Sequence, residues 1–390
     1  MTEWRKVRLK DCCLKIGSGS TPKGGSTVYV DSGTSLIRSQ NVYNLSFDYN
    51  GLTHITDEAA KKLNGVTIFK DDILLNITGD SVARTCIVPN DVIPARVNQH
   101  VAIVRVDNKK MSSRYLNYYL ASPIMQAHML SLAVGKGASR NAMTKQMIEN
   151  FEIPCPPIEV QHRIATILSR YDSLIENYQR QIKLLEESAQ RLYKEWFVDM
   201  RFPGYEKTKV VDGVPEGWAL SILGQIAEFK RGKTITKKDV VDGSIPVVAG
   251  GLEPAYYCDK SNTEERVITV SGSGANAGFT RLYFEKVWAS DCSFVDIRTT
   301  PFLHFVYCFL KENKTTIDNM QKGSAQPHVY AKDINALDLC IPTEKVLKLF
   351  EEIASKYFDS IYTIQSQIRL LTEARDRLLP KLLSGEIIIS

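Results

Sequence analysis

The stretch "SRYDSLIENYQRQIKLLEESAQRL" spans residues 169–192, and residues 355–378 read "SKYFDSIYTIQSQIRLLTEARDRL". The two stretches align without a gap at an offset of 186 positions. Identical residues recur along the whole alignment, for example Tyr171 with Tyr357 and Leu192 with Leu378. The sequence therefore indicates an internal duplication that includes a helix.

Apolar residues in both copies recur at alternating spacings of four and three residues. This heptad pattern is typical of a coiled coil, because the a and d positions form one narrow stripe along the helix. The predicted seam of the first helix consists of Ile164, Leu168, Tyr171, Ile175, Tyr178, Ile182, Leu185, Ala189, Leu192 and Trp196. That of the second helix consists of Phe350, Ala354, Tyr357, Ile361, Ile364, Ile368, Leu371, Leu378 and Leu382.

The simplest partner for each narrow stripe is the other stripe, which predicts an intramolecular coiled coil. The alternative is that each amphipathic helix packs separately on its own domain. Arg375 stands in the second seam where the first has Ala189. We expect this arginine to reach a carboxylate or to extend its head group into water, and a polar seam residue can fix the register.

The duplication extends beyond the helices. Residues 137–157 align with residues 323–343 at the same offset, and Trp4 and Trp218 begin parallel segments. The fold class predicted is α+β: two similar mixed α/β domains separated by two long helices. The predicted boundaries are 1–155 for the first domain, 156–199 for the central helix, 200–217 for a linker, 218–343 for the second domain and 344–384 for the C-terminal helix.

Linker length determines the expected direction of the helices. Residues 200–217 are too few to return the chain along a helix of about 40 residues, which is about 60 Å long, unless the linker is almost fully extended. The second domain therefore starts near the end of the first helix, and the second helix runs back. We expect antiparallel helices with pseudo-twofold symmetry and one domain at each end of a rod.

Short apolar runs bounded by turn residues predict strands in both domains. In the first domain they are "TSLIRSQNV", "DILLNIT", "TCIVP" and "HVAIVRV", followed by a short helix at "SSRYLNYYLAS". In the second they are "IPVVAG", "RVITVS", "FTRLYF" and "SFVDIR", followed by a helix at "FLHFVYCFLK".

Composition is that of an ordinary globular protein, with 44% hydrophobic and 24% charged residues among 390. The start of the sequence lacks the apolar core of a secretory signal, and no apolar run has the length of a membrane span, so we expect a cytoplasmic protein. The eight cysteines and six histidines are dispersed. This pattern favours free thiols and predicts no metal site.

The positive charge is concentrated at one end of the chain. Lys and Arg exceed Asp and Glu by six through residue 157, and the two types balance over residues 200–343. Such an excess is compatible with an anionic partner such as nucleic acid and equally with a solvated surface.

Two similar but non-identical domains on a stiff spacer suit a target with two separated, differing parts. Duplex DNA is such a target, because half-sites about 34 to 36 Å apart face the same side of the double helix. The predicted coiled coil would then set the distance between two DNA-reading domains.

Three further segments carry a family resemblance. They are "IPCPPIEVQHRIATIL" at residues 153–168, "PEGWALSILGQIAEFKRGK" at 215–233 and "LLPKLLSGEI" at 378–387. With the tandem layout, they resemble the specificity subunits of type I restriction-modification systems. The resemblance implies a non-catalytic subunit that binds double-stranded DNA with a bipartite, asymmetric recognition sequence, each domain reading one half.

The same resemblance implies that two methyltransferase subunits bind to the helical regions and that restriction/translocase subunits join the full complex. One departure concerns the second junction, "IPTEKVLKLFEEIA", which lacks the Pro-Pro and Gln of "PPIEVQHRIA". The two partner-binding regions need not be equivalent.

DNA contacts are predicted in loops that combine Arg, Lys, Asn, Gln and small hydroxyl residues, because these types bind base edges and phosphates. For any single loop, a solvated turn is the alternative. The candidates in the first domain are Ser18, Ser20, Thr21, Lys23, Arg38, Gln40, Asn41, Asn76, Thr78, Arg84, Asn98, Gln99, Lys136, Ser139, Arg140 and Asn141. Those in the second are Lys230, Arg231, Lys233, Thr234, Ser271, Ser273, Asn276, Lys322, Ser324, Gln326 and His328.

Catalytic motifs are not found in the sequence. "GSGANA" at residues 272–277 precedes a predicted strand, whereas a dinucleotide fingerprint precedes a helix. "RGKT" at 231–234 has Ala227 where a phosphate-binding loop needs its first glycine. We therefore expect no cofactor, with S-adenosylmethionine and ATP belonging to partner subunits. An enzyme is disfavoured, and a coiled-coil scaffold whose end domains bind proteins remains the alternative.

Overall fold

The computed structural model describes residues 4–134, 141–321 and 327–387. The chain divides into two compact units. The first comprises the chain up to Ile175 together with the stretch from Arg369 onward, and the second comprises Glu176–Ile368. Each unit therefore includes a part of each repeated helix, whereas the boundaries predicted from sequence separate the helices from the domains.

The first unit is a mixed fold of short strands and short helices. Its described strands are β1 (Lys6–Arg8), β2 (Cys13–Ser18), β3 (Tyr29–Val30), β4 (Thr34–Ile37), β5 (Val42–Tyr43), β6 (Ser46–Phe47), β7 (Thr53–Ile55), β8 (Ile73–Asn76), β9 (Thr85–Ile87), β10 (Ala95–Val97), β11 (Val101–Val106) and β12 (Glu152–Pro154). Its described short helices are α1 (Asp57–Lys62), α2 (Ser113–Ala121), α3 (Pro123–Ala133) and α4 (Lys145–Glu149).

These strands form two four-stranded sheets and two separate pairs. The sheet orders are β2-β11-β8-β9 and β10-β4-β7-β3, and β1 pairs with β12. All neighbours in the first sheet are antiparallel, while β10 runs parallel to β4 in the second. Strand β8 is buried along its whole length, as its aliphatic run "ILLN" leads us to expect of a central strand.

The second unit has the same kinds of element. Its described strands are β13 (Val210–Val211), β14 (Val214–Pro215), β15 (Ala219–Ile222), β16 (Lys230–Arg231), β17 (Ile245–Val248), β18 (Tyr256–Cys258), β19 (Val267–Ser271), β20 (Thr280–Tyr283), β21 (Trp288–Ala289), β22 (Cys292–Asp296) and β23 (Asp338–Ile341). The two long helices, which both units share, are α5 (Ile158–Tyr193) and α9 (Glu344–Ser384). The short described helices of the second unit are α6 (Leu303–Glu312), α7 (Lys314–Asn319) and α8 (Ala331–Asn335).

The topology of the second unit repeats that of the first. Its sheets have the orders β16-β22-β19-β20 and β18-β17-β21, with β21 parallel to β17, and β15 pairs with β23. Each of these strands has a counterpart at the same place in the first unit. The duplicated mixed α/β fold predicted from the sequence is confirmed, and every strand and helix segment predicted above contains an element of the expected type.

Helix α5 starts two residues inside the range 156–199 expected for the central helix, whereas α9 spans the same residues, 344–384, as the expected C-terminal helix. A π-helical turn, Lys194–Val198, continues α5, and the amide of Asp199 closes it by donating to the carbonyl of Lys194 at 2.8 Å. Residues 200–217, predicted as a linker, contain the antiparallel hairpin β13–β14.

Within each unit, the start of one long helix packs with the end of the other. Ile164 and Leu168 of α5 share the core of the first unit with Leu379 and Leu382 of α9. In the second unit, one core contains residues from the end of α5 and the start of α9, namely Ala189, Tyr193, Phe350, Ala354 and Phe358. In each unit, this packing is the kind expected of antiparallel helices.

Burial along the two helices follows the heptad stripe. The seam positions Ile164, Leu168 and Ile361 are buried. The other seam residues named in the sequence analysis are buried or half-buried, whereas the neighbouring Leu184 and Leu370 are 61% and 55% exposed. Arg375 is half-buried, and its Nη1 donates to Oδ1 of Asp172 at 2.7 Å.

Candidate nucleic-acid interface

Strand directions in the first unit bring most of the predicted DNA-binding residues to one end of a sheet. Ser18 at the end of β2 lies opposite Ala102 at the start of β11. Asn76 at the end of β8 lies opposite Val101, and Thr85 at the start of β9 lies opposite Leu75. The loops after β2 and β8 and those before β9 and β11 therefore meet; we call this the loop end of the sheet.

A glycine turn leaves β2 at the loop end. The amide of Gly19 donates to the carbonyl of Val101, and that of Ser20 to the carbonyl of Val97, both at 2.9 Å. A Cβ atom on Gly19 would overlap the carbonyl oxygen of Val97, so the close approach of the two backbones requires glycine. The turn presents Ser20 and Thr21 to solvent, and the Thr21 hydroxyl hydrogen-bonds the Gln99 side chain.

Polar side chains from the neighbouring loops surround this turn. The Thr78 hydroxyl lies 2.6 Å from Nδ1 of His100, and Nε2 of His100 lies 3.2 Å from Nε2 of Gln99. Ser18, Gln40 and Gln99 are exposed, and the amide of Gln40 donates to the carbonyl of Gly51 at 3.3 Å. Exposed amide and hydroxyl groups of this kind can pair with base edges or phosphates.

Three predicted asparagines are buried and hold the loops in place. Asn41 accepts a hydrogen bond from the amide of Arg38 at 3.0 Å and donates to the carbonyl of Asp48 at 2.9 Å. Asn76 donates to the carbonyl of Ser39 at 2.8 Å, and Asn98 accepts from the amide of His100. These side chains position the loops and do not themselves face solvent.

Two arginines at the loop end are half-buried. Nη2 of Arg38 donates to the carbonyl of Gly51 at 2.8 Å. The guanidinium of Arg84 stacks over the ring of Tyr43 at 4.5 Å from the centroid, a cation–π contact that orients its donors. Tyr43 was missed by sequence reasoning, which selected loops by basic and amide residues and did not weigh an aromatic partner.

Lys23 and Asn141 complete the described candidates of the first unit. Lys23 is exposed in the segment after the glycine turn. Asn141 is half-buried, and its carbonyl accepts from the amide of Gly79 at 3.0 Å, which attaches it to the loop after β8. The candidates that lie outside the described residues are Lys136, Ser139, Arg140, Lys322, Ser324 and Gln326.

The second unit places a matching turn at the same end of the matching sheet. The amide of Gly232 donates to the carbonyl of Cys292 at 2.8 Å, and that of Lys233 to the carbonyl of Ala289 at 2.9 Å. A Cβ on Gly232 would overlap the carbonyl of Ser290. "GST" at residues 19–21 and "GKT" at 232–234 are therefore equivalent turns, with Lys233 in place of Ser20.

Exposed cations and a histidine lie beside this second turn. Lys230, Arg231, Lys233 and Thr234 are exposed, and Arg231 pairs with Ser293 across the sheet. The backbone of Ser273 forms a β-bridge with His328, whose ring stacks on Tyr330 at 5.9 Å between centroids.

The remaining candidates of the second unit are less exposed. Ser271 is buried, and the amide of Asn276 donates to the carbonyl of Gly250 at 3.4 Å. Asp291, which sequence reasoning missed, accepts a hydrogen bond from the Ser273 hydroxyl. A carboxylate at such a position can accept from the amino group of cytosine.

Cys86 and Cys292 are buried cysteines, one in each unit. Burial raises the pKa of the Cys86 and Cys292 thiols to about 12, which leaves them protonated and poorly nucleophilic at neutral pH. In residues 4–134, 141–321 and 327–387, no three His, Cys, Asp or Glu side chains are grouped as metal ligands. None of the helices in these ranges combines the length and apolar character needed to cross a bilayer.

Comparison with known proteins gives matches along the whole chain. The family described as "Type I restriction modification DNA specificity domain" matches residues 1–187 and 215–370. The type I restriction enzyme MjaIX specificity subunit of Methanocaldococcus jannaschii is 26% identical, with 99% of this chain and 94% of that protein covered. The HindI specificity subunit of Haemophilus influenzae is 20% identical over 99% of this chain and 100% of its own length.

A solved structure shares the fold. The type I restriction-modification S subunit from M. genitalium superimposes with a TM-score of 0.58 at 18% sequence identity. The match covers 97% of this chain and 96% of that one.

Proposed function

Because the chain belongs to the type I restriction modification DNA specificity family, we propose that each unit reads one half of a bipartite, asymmetric site in double-stranded DNA. The chain is a DNA sequence-recognition subunit of a type I restriction-modification complex. The observation that carries the proposal is the equivalent glycine turn at the loop end of both sheets, with exposed polar or basic residues around it.

Different side chains around the two turns account for different half-sites. In the first unit, Gln40 and Gln99 present amides that suit adenine, and Arg84 presents a guanidinium that suits guanine. In the second unit, Arg231 and Lys233 supply the cations. Small hydroxyl residues at both turns contact phosphates and fix the register of the protein on the duplex.

Partner subunits supply the chemistry in this proposal. Two methyltransferase subunits dock on the helical regions, and restriction/translocase subunits join the full complex. S-adenosylmethionine and ATP bind to those subunits, while this chain selects the sequence and its long helices set the spacing between the two half-sites. The complex acts in the cytoplasm, where the host DNA is found.

Domain exchange tests the proposal directly. Residues 1–155 are replaced by the corresponding domain of a related subunit, and methylated positions are mapped in a host that carries the complete complex. We expect one half of the methylated motif to change while the other half and the spacing stay the same. Changes in both halves would contradict the modular reading.

Point variants test the turns themselves. Gln99→Ala and Lys233→Ala should each weaken binding of the methyltransferase complex to its DNA site, and Lys233→Ala should also reduce the salt dependence. Lys61→Ala, which removes an exposed cation at the end of α1 instead, serves as the control. An intact complex that binds DNA without sequence preference would favour the alternative, a scaffold whose end domains bind proteins.

A further inference from the structure

Three exposed cations lie on β1 of the first unit and in the 3-10 turn that follows it, outside the loop end. Lys6 and Arg8 are alternate residues of β1, so they point to the same face of the strand. Lys10, in the 3-10 turn, lines the same groove as these two residues, and we call the three together the cationic stripe. Among the described residues, none of the three forms a salt bridge, although Arg8 lies opposite Glu152 in the strand pair.

The stripe forms one wall of a groove of about 840 Å³. Helix α3 contributes Ile124, Met125 and His128 to the lining, and Tyr119, Gln146, Asn150 and Glu152 complete it. Ile124 is 74% exposed, a high value for an isoleucine, whereas Met125 is buried. The groove therefore combines three cations and one carboxylate with the exposed apolar side chain of Ile124, and we call it the β1–α3 groove.

The equivalent surface of the second unit has the opposite character. The pairing of β15 with β23 sets Leu220 opposite Cys340, as β1 and β12 set Lys6 opposite Pro154. Leu220 is 77% exposed and Ile222 is 38% exposed, at the positions that correspond to Lys6 and Arg8. Duplication kept the strand pair but gave its outer face a cationic stripe in one copy and an apolar one in the other.

We propose that the β1–α3 groove binds an acidic segment of a protein partner that also carries an apolar or aromatic residue. Carboxylates of the segment pair with Lys6, Arg8 and Lys10, and its apolar residue covers Ile124. This inference goes beyond DNA reading, and it gives the two units different partner surfaces.

Two observations favour an acidic protein over DNA. Strand β2 starts three residues after Lys10 and runs to the loop end at Ser18, so its six residues separate the groove from that end by about 20 Å. The exposed Ile124 also adds apolar area that a phosphate backbone would leave uncovered. Interfaces between proteins, by contrast, combine apolar cores with charged rims.

The probe is a fluorescent random copolymer of glutamate and tyrosine in a 4:1 ratio, added to the full-length chain, with binding followed by anisotropy. The variant K6A/R8A/K10A should bind it about tenfold more weakly or worse, with a smaller salt dependence. The matched control K61A/K62A/K70A removes three exposed lysines elsewhere in the same unit. This control should change the affinity for the copolymer less than about twofold, because the proposal depends on where the cations lie and not on the net charge of the chain.

A second variant separates the apolar contact from the charges. Ile124→Ser should weaken binding of the glutamate-tyrosine copolymer but not of polyglutamate, while the circular dichroism spectrum stays unchanged. Equal losses of copolymer binding in K6A/R8A/K10A and K61A/K62A/K70A would overturn the proposal. So would a loss of duplex DNA binding in K6A/R8A/K10A that exceeds the loss of copolymer binding, because the groove would then belong to the DNA surface.

The groove proposal and the proposed DNA-reading function can fail independently of each other. If the methylated motif of the complex is unchanged in K6A/R8A/K10A and copolymer binding is also unchanged, the groove proposal is wrong while DNA reading stands. If domain exchange fails to alter the motif, DNA reading is wrong whatever the copolymer does.

Discussion

Arg375→Ala tests the polar interruption of the helix seam. The arginine side chain is 15% exposed and its Nη1 lies 2.7 Å from Oδ1 of Asp172, which is 20% exposed. The Tyr118 hydroxyl donates to the same carboxylate. Burial lowers the pKa of Arg375, but hydrogen bonds and charge from Asp172 and Asp376 outweigh this and raise it above the usual value. The arginine is therefore charged at every pH at which the protein folds.

Removing the arginine leaves a half-buried carboxylate without its cation. Breaking a fully buried pair costs about 3 to 5 kcal/mol. We expect a smaller cost here, about 2 to 3 kcal/mol, because Asp172 keeps the hydrogen bond from Tyr118 and some contact with water. The matched control is Arg377→Ala, whose side chain is 79% exposed and pairs with Glu373 one turn away. That change should cost about 0.5 kcal/mol or less.

The second copy supplies the compensating variant. The residues that correspond to Asp172 and Arg375 at the offset of 186 are Phe358 and Ala189, both buried in the core of the second unit. The double variant Asp172→Phe with Arg375→Ala should recover at least half of the loss, since apolar residues can replace a buried ion pair at little cost.

The assay needs a readout specific to the first unit. Urea unfolding followed by circular dichroism gives the global change, and hydrogen exchange of peptides from residues 369–384 gives the local one. A loss in Arg375→Ala no larger than that in Arg377→Ala would refute the reasoning. A double variant less stable than Arg375→Ala alone would show that the two layers are not interchangeable.

Three further predictions concern packing, backbone and pH. Gly19→Ala should abolish DNA binding and destabilise the first unit in urea, whereas Gly17→Ala, with open space around its Cβ position, should have little effect. Phe350→Ala should cost about 3 to 5 kcal/mol by thermal or urea unfolding, since the ring is fully buried among other aromatic rings. Burial raises the pKa of Asp296, but hydrogen bonds from Arg298 and backbone amides outweigh it and lower the pKa overall. Its stabilising effect is therefore present above the unfolded value of about 3.9 and lost as the pH falls through the lower folded value, so Asp296→Asn should be less stable than wild type at pH 7 and closer to it at pH 3.

Much of the fold could be predicted because it is encoded by repetition and period. The helix repeat, its heptad stripe and the buried strand "ILLN" all leave signals that span several residues. Strands such as β16 and β21 have only two residues each, too few to show an alternation, and the parallel pairing of β17 with β21 has no local signal at all. These elements depend on tertiary contacts.

The candidate site was predictable in composition and less so in geometry. Residue types selected the loops, and strand directions bring the described ones together at the loop end. Side-chain direction could not be predicted: Asn41 and Asn98 looked like base-reading amides, yet both hold backbone groups inside the fold. Similarly, we expected Arg375 to reach either a carboxylate or water; its partner is Asp172 on the other helix, and that pairing depends on the register between the two helices.

Completion of the first unit by the stretch from Arg369 onward has a consequence for synthesis on the ribosome. Ile164 and Leu168 emerge early, but Leu379 and Leu382, which share their core, are translated only after the whole second unit. A nascent chain must hold this apolar surface uncovered until translation has passed Leu382. A transcript broken within the last helix would thus yield a chain whose first unit is unfinished, a defect that proteases can recognise.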